Sequence, residues 1–171
     1  MNMELKYLVL DVDGTMTDGG IYYDEHGNEL KKFNTRDAAG IFAALTAGIE
    51  VLVVTGRECK ATEKRMKELG VKQLYQNVKD KTSFLQSFML EHKVDKQELG
   101  YIGDDLNDLK PMRLAGFVAC PLDGCDEIKE IANYVSSVKG GDGVIRDVVM
   151  HLLRPSGLWA ECVSKVYSIG V

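Results

Sequence analysis

The chain has 171 residues, 45% of them hydrophobic, and a formal net charge of -5. That is enough for one domain with its own core, while charges of both signs spread along the chain leave no basic stripe for a nucleic acid backbone. Its apolar runs are too short to cross a bilayer, and its start lacks the charged, apolar and small-residue parts of a signal peptide, so the expected setting is cytoplasmic with no membrane partner.

The first strand is read in "YLVLDV", ending at Asp11. From Ile21 to Phe33 the segment "IYYDEHGNELKKF" reads as two strands around a polar turn, a hairpin projecting at about residues 20–33. Helix "IFAALTAG" follows, then strand "VLVVTG", helix "ATEKRMKELG", a short strand around "QLYQ", and a helix "KTSFLQSFMLEH" that opens on Lys81. "DKQE", Asp95 to Glu98, is spaced as a capping box, and strand "GYIGDD" leads into helix "LNDLKPMRLAG". Gly48, Gly70 and Gly116 each follow a helical pattern where a left-handed residue is wanted.

This alternation predicts an α/β, Rossmann-like parallel sheet with helices on both faces, and residues 1–171 as a single domain. Pro155 and Gly157 end a helix, and the tail at 155–171 carries Trp159, Val163, Val166, Tyr167 and Ile169. Two readings stand for it, a helix packed on the body or a segment reaching a neighbouring subunit. Cys59, Cys120, Cys125 and Cys162 lack metal spacing and read as free thiols. His26, His92 and His151 read as solvated or packed, and Met66, Met89, Met112 and Met150 as core filler.

In an open parallel sheet, ligands bind beyond the carboxyl ends of the strands. Asp11 and Asp13 lie beyond the first strand, Thr55 and Gly56 beyond "VLVV", and Asp104, Asp105 and Asp108 beyond "YIG". Asp and Gly after a strand also make ordinary turns, so the weight lies in the combination with a lysine that opens a later helix. Carboxylates so close need a cation, and an all-oxygen donor set selects a hard ion such as Mg2+. A phosphate bound there accounts for Thr55 as a hydroxyl donor and Lys81 as a fixed cation. Asp11 can then attack phosphorus, Asp13 can handle protons if the chain stays extended between them, and Gly14 lets the backbone turn away.

With "DVDGT", "VVTGR", Lys81 and "GDDLND" in this order, the chain resembles the haloacid dehalogenase superfamily of phosphohydrolases. The resemblance implies Asp11 as nucleophile, Asp13 as general acid and base with its backbone carbonyl on the metal, and Thr55 and Lys81 as phosphate binders. It implies Asp104 as the main metal carboxylate, with Asp105 or Asp108 supporting the ion. The intervals between motifs leave no room for a cap domain, and "FNTRDAAGI", "LYQNVKDK" and "GGDGVIRDV" resemble the capless branch typified by 3-deoxy-D-manno-octulosonate 8-phosphate phosphatases. That branch implies a phosphorylated keto-deoxy sugar acid as substrate, in lipopolysaccharide biosynthesis, and a homotetramer whose subunits cover one another's sites. Asp142 and Ala39 differ from residues frequent there.

Arginines suit the sugar carboxylate. Arg57, directly after the phosphate turn of Thr55 and Gly56, leads Arg36 and Arg146, with Gly56 also placed at the substrate, and Arg65 reads as a helix-face residue. A nine-carbon sugar acid 9-phosphate is the competing substrate, and a non-catalytic partner subunit of a sugar-nucleotide enzyme the competing class. Both Asp11 and Asp13 are present, which argues against the second.

Overall fold

The structure, a computed structural model, describes residues 5–168. In chain order it runs β1 (Tyr7–Leu10), β2 (Tyr22–Tyr23), β3 (Glu29–Leu30), α1 (Asp37–Thr46), β4 (Glu50–Val54), α2 (Lys60–Glu68), β5 (Gln73–Tyr75) and α3 (Lys81–His92). It continues through β6 (Leu99–Ile102), α4 (Leu106–Met112), β7 (Phe117–Cys120), α5 (Asp126–Ile131), β8 (Tyr134–Val135), α6 (Val144–Leu153) and α7 (Leu158–Tyr167). Six strands form one parallel sheet in the order β5-β4-β1-β6-β7-β8, and β2 and β3 pair antiparallel beside it.

The continuous apolar runs arise because both faces of the sheet are covered. Leu8, Leu10, Val51 and Val53 point to one face, where Ile41 and Ala44 of α1, Met66 of α2, Val148 and Val149 of α6 and Cys162 of α7 bury them. Val9, Leu52 and Tyr101 point to the other, against Leu85 and Phe88 of α3, Met112 of α4 and Ile128 of α5. Each such side chain contributes roughly 1.5–3 kcal/mol of transfer free energy. Between β1 and Lys81 the chain holds only the hairpin, α1, β4, α2 and β5, so no cap domain is inserted there.

The hairpin turn is built as its residues suggest. Asp24 accepts from the backbone N–H of His26 and of Asn28, both at 2.8 Å, and Gly27 takes a positive φ of 79°. The tail is a helix packed on the body, with Cys162 and Val163 buried and Trp159 against the core shared with α1; Ile169 lies outside the described residues. Asp95 and Glu98 do form a capping box, on a single 3-10 turn before β6. Gly48 and Gly70 adopt positive φ as expected. Gly116 does not, and is required by close approach instead, since a Cβ there would lie 2.6 Å from the Lys96 carbonyl oxygen. The sequence reading named no element between Gly116 and the "GGDG" loop, where β7, α5 and β8 lie.

Among the described residues no helix is long and apolar enough to cross a membrane.

Candidate active site

β1 lies between β4 and β6, and the chain reverses its direction of travel across the sheet between β1 and β6. Helices that follow such strands turn to opposite faces, leaving a crevice at the carboxyl ends. Leu10 is in register with Val53 on one side and Ile102 on the other, and the Asp11 N–H donates to the Ile102 carbonyl at 3.0 Å. The sheet hydrogen bonds thus place Asp11 between Thr55 and Asp104.

Lys81 is the first residue of α3, whose start is fixed by the Asp80 carboxylate accepting from the Ser83 N–H at 2.9 Å. From there its ammonium reaches between two buried carboxylates, 2.6 Å from Asp11 Oδ1 and 2.7 Å from Asp108 Oδ1. Asp108, fully buried on α4, also accepts from the Tyr101 hydroxyl at 2.8 Å and from the Asp104 N–H at 3.3 Å. Asp104 in turn accepts from the Thr15 hydroxyl at 3.0 Å. Asp105 faces outward and caps α4 through its own neighbour's N–H, at 2.8 Å from Leu106 N. Of the two supporting candidates, Asp108 belongs to the cluster and Asp105 does not.

One oxygen from each of Asp11, Asp104 and Asp108 lies within 4.8 Å of the others. The electrostatics show the strain of that arrangement. Burial, then the Asp108 charge, pushes the Asp11 carboxyl well above the carboxylate range against the pull of Lys81. Burial and Asp108 likewise raise Asp104 to about 7. Burial acts to lower the Lys81 pKa, but the charges of Asp11 and Asp108 outweigh it and hold the ammonium protonated. Among the described residues, three ionised carboxylates against one ammonium would leave two negative charges, and a divalent cation would balance them and favour the ionised forms of Asp11 and Asp104. With oxygen donors alone, the residues present fit a hard ion.

Asp13 differs from its expectation. The chain leaves the extended conformation after Val12, whose carbonyl accepts from the Met16 and Thr17 N–H groups at 2.9 and 3.0 Å. Asp11 therefore points to Lys81, while the Asp13 carboxylate pairs with Lys31 of the hairpin. Gly14 makes this turn at φ 95°, and a Cβ on it would overlap the Asp104 carboxylate.

Thr55 is buried, and its hydroxyl oxygen accepts from the Arg57 N–H at 3.3 Å. Gly56 opens the same turn, with its carbonyl accepting from Lys79 Nζ at 2.6 Å. The Arg57 guanidinium is gripped by Glu29, with Nε 3.1 and 3.2 Å and Nη2 2.8 Å from its carboxylate oxygens. Hydrogen bonds from Arg57, then Lys31, outweigh desolvation and hold Glu29 down at about 2. Arg36 and Arg146 are both exposed and flank the loop before α6. Arg65 donates to the Asn34 carbonyl at 3.4 Å and pairs with Glu68 on its own helix, so it is a helix-face residue.

The sequence reading missed Glu29, Lys31, Thr15, Tyr101 and Asp37. Glu29 on β3 and Lys31 directly after it are two apart and meet at 2.7 Å, a spacing that the hairpin pattern made legible. Asp37 was beyond reach: its Oδ1 accepts from the N–H groups of Ile145 and Arg146 at 2.9 and 3.2 Å, capping α6 from the start of α1. Among the described residues its Oδ2 is buried without a hydrogen bond, and burial raises the group to about 6 against the pull of those N–H groups. The "GGDG" loop also docks on the first motif, Gly141 N–H donating to the Thr15 carbonyl at 3.1 Å. A Cβ on Gly140 would overlap the Gly14 carbonyl oxygen.

Comparison with known proteins agrees with this geometry. A sequence profile of haloacid dehalogenase-like hydrolases matches residues 73–147. The 3-deoxy-D-manno-octulosonate 8-phosphate phosphatase of Escherichia coli K12 is 38% identical over 153 residues, covering 90% of this chain and 81% of that one. The crystal structure of the Moraxella catarrhalis phosphatase of the same name, holding a magnesium ion, a phosphate ion and KDO, superposes with a TM-score of 0.90 at 32% identity, over 96% of this chain and 94% of the other. The cobalt-bound enzyme of Haemophilus influenzae gives 0.85 at 31% identity, over 92% of each chain.

Proposed function

The chain belongs to the haloacid dehalogenase-like hydrolases, and we propose that it is a magnesium-dependent phosphomonoesterase that hydrolyses 3-deoxy-D-manno-octulosonate 8-phosphate. The observation that carries the chemistry is the meeting of Asp11, Asp104, Asp108 and Lys81 at the reversal point of the sheet. The substrate follows from relatives that span most of both chains.

In this reading Asp11 Oδ1 is held by Lys81, which leaves the other oxygen to attack phosphorus. The ester oxygen departs with the electron pair of the broken P–O bond and takes a proton from Asp13. Water then attacks the aspartyl phosphate, gives a proton to Asp13 and releases Asp11 and inorganic phosphate. Thr55 and Lys81 hold the phosphoryl oxygens, and placing these donors beforehand is where most of the acceleration arises. Asp11, Asp104 and the Asp13 backbone carbonyl, with Asp108 behind them, would hold a magnesium ion, whose charge would offset that on the transferring group.

The sugar carboxylate calls for a cation at the mouth. Arg36 and Arg146 suit this role, being exposed and without an ion pair among the described residues, whereas Arg57 meets it only on an edge that Glu29 leaves free. We also place the protein in the cytoplasm, as a homotetramer. Ile21, Tyr22, Tyr23 and Leu30 expose 45–61% of their surface along the hairpin strands, an apolar surface beside the polar turn suited to a second copy of this chain.

The test is a comparison of kcat/KM for the eight-carbon acid 8-phosphate, a nine-carbon sugar acid 9-phosphate and simple hexose phosphates, with magnesium present. The eight-carbon acid should lead. A lead for the nine-carbon acid would reassign the substrate, and equal values throughout would remove the sugar-acid assignment.

A further inference from the structure

Lys31 directly follows β3, in a hairpin whose neighbouring residues are largely exposed, yet its side chain is only 3% exposed. It is buried because it carries the ion pair to Asp13 and a second, at 2.7 Å, to Glu29. Glu29 is itself fixed by the three hydrogen bonds from Arg57, which follows Thr55 on the phosphate-binding turn. A chain of alternating charge thus runs from that turn through the hairpin to Asp13. Among the described residues, Lys31 supplies the one hydrogen bond that reaches the Asp13 carboxylate.

We propose that Lys31 is a positioning residue for Asp13, fixing where its carboxyl group stands and balancing the charge left on it when the ester oxygen takes its proton. The inference rests on the reading of Asp13 as proton donor. A carboxyl on a turn, 27% exposed, has rotamer freedom that an unanchored lysine could not remove. This lysine is anchored, because Glu29 holds it and Arg57 holds Glu29. Asp13 enters the first step protonated; its O–H bond breaks as the new O–H bond forms on the leaving alcohol, and Asp13 becomes the carboxylate of the ion pair with Lys31. In the second, water returns a proton to Asp13 while its oxygen bonds to phosphorus and the Asp11–phosphorus bond breaks. Because Glu29 and Lys31 belong to the hairpin, proton transfer becomes sensitive to where the hairpin sits.

The experiment uses substituted phenyl phosphates of similar size, with kcat/KM plotted against the pKa of the leaving phenol. This ratio reports steps through departure of the leaving group. In Lys31→Met the value for phenyl phosphate should fall about tenfold, part of what a general acid contributes. For p-nitrophenyl phosphate, whose leaving group needs less help, the fall should be smaller, so the plot steepens. Lys31→Arg should restore most of the wild-type slope. A parallel drop for all esters, or none, would overturn the proposal and leave Lys31 as a hairpin anchor. Failure of the underlying reading shows separately, as an Asp13→Asn enzyme whose slope equals that of the wild type.

Discussion

Lys81→Met removes the one cation that, among the described residues, is inserted between the clustered carboxylates. Its two ion pairs, at 2.6 and 2.7 Å, join groups that are 4% exposed or less. At an effective dielectric of about 20 each pair is worth roughly 6 kcal/mol of Coulomb energy. Much of that offsets the desolvation of the lysine, and breaking such a pair from one side costs about 3–5 kcal/mol, chiefly because the remaining charges are left uncompensated. For a chain of this size the corresponding fall in Tm is about 10 °C. The assay is thermal unfolding followed by circular dichroism, first in a chelator and then in saturating magnesium. The ion neutralises the same carboxylates and binds only the folded state, so the gap between variant and wild type should narrow when it is added. An unchanged Tm in the chelator, or a gap as wide in magnesium as without it, would refute the shared-charge account of the site.

Asp37 supplies a pH dependence away from the metal cluster. Its folded pKa of about 6 exceeds the ordinary 3.8, so between those values the folded state retains a proton that the unfolded chain has released, and stability is lost as pH rises through the window. The loss is about 3 kcal/mol; in urea titrations from pH 4 to pH 7, Asp37→Asn should gain on the wild type by that order, and a constant difference would contradict it. The exposed apolar residues of the hairpin strands predict a tetramer by light scattering at working concentration, which Tyr23→Glu should dissociate. A wild-type monomer would remove the assembly proposal.

The residues of the chemistry were legible because each stands at a strand end or a helix start, positions that apolar periodicity marks plainly. Asp11, Thr55, Lys81 and Asp104 are of this kind, and so is the sheet that gathers them. Asp13 was legible as a residue but not in its direction, since the helical turn from Val12 to Thr17 breaks the alternation on which that expectation stood. Long-range pairs carried no local signal. Asp37 reaches α6 across more than a hundred residues, and Arg57 meets Glu29 only because β3 folds back over the phosphate turn. Short elements such as α5 and β8 were missed for another reason. Six and two residues are too few to show a period, and only the sheet's edge fixes them.

The central claim is that a phosphoryl group passes through Asp11. Its most direct test is rapid acid quenching of the magnesium-loaded enzyme during turnover, followed by proteolysis and mass spectrometry. The account predicts one phosphoryl group on the peptide containing Asp11, labile to hydroxylamine and absent from Asp11→Asn, which should release no phosphate while remaining folded. A phosphoryl group on any other residue, or undiminished turnover by Asp11→Asn, would contradict it.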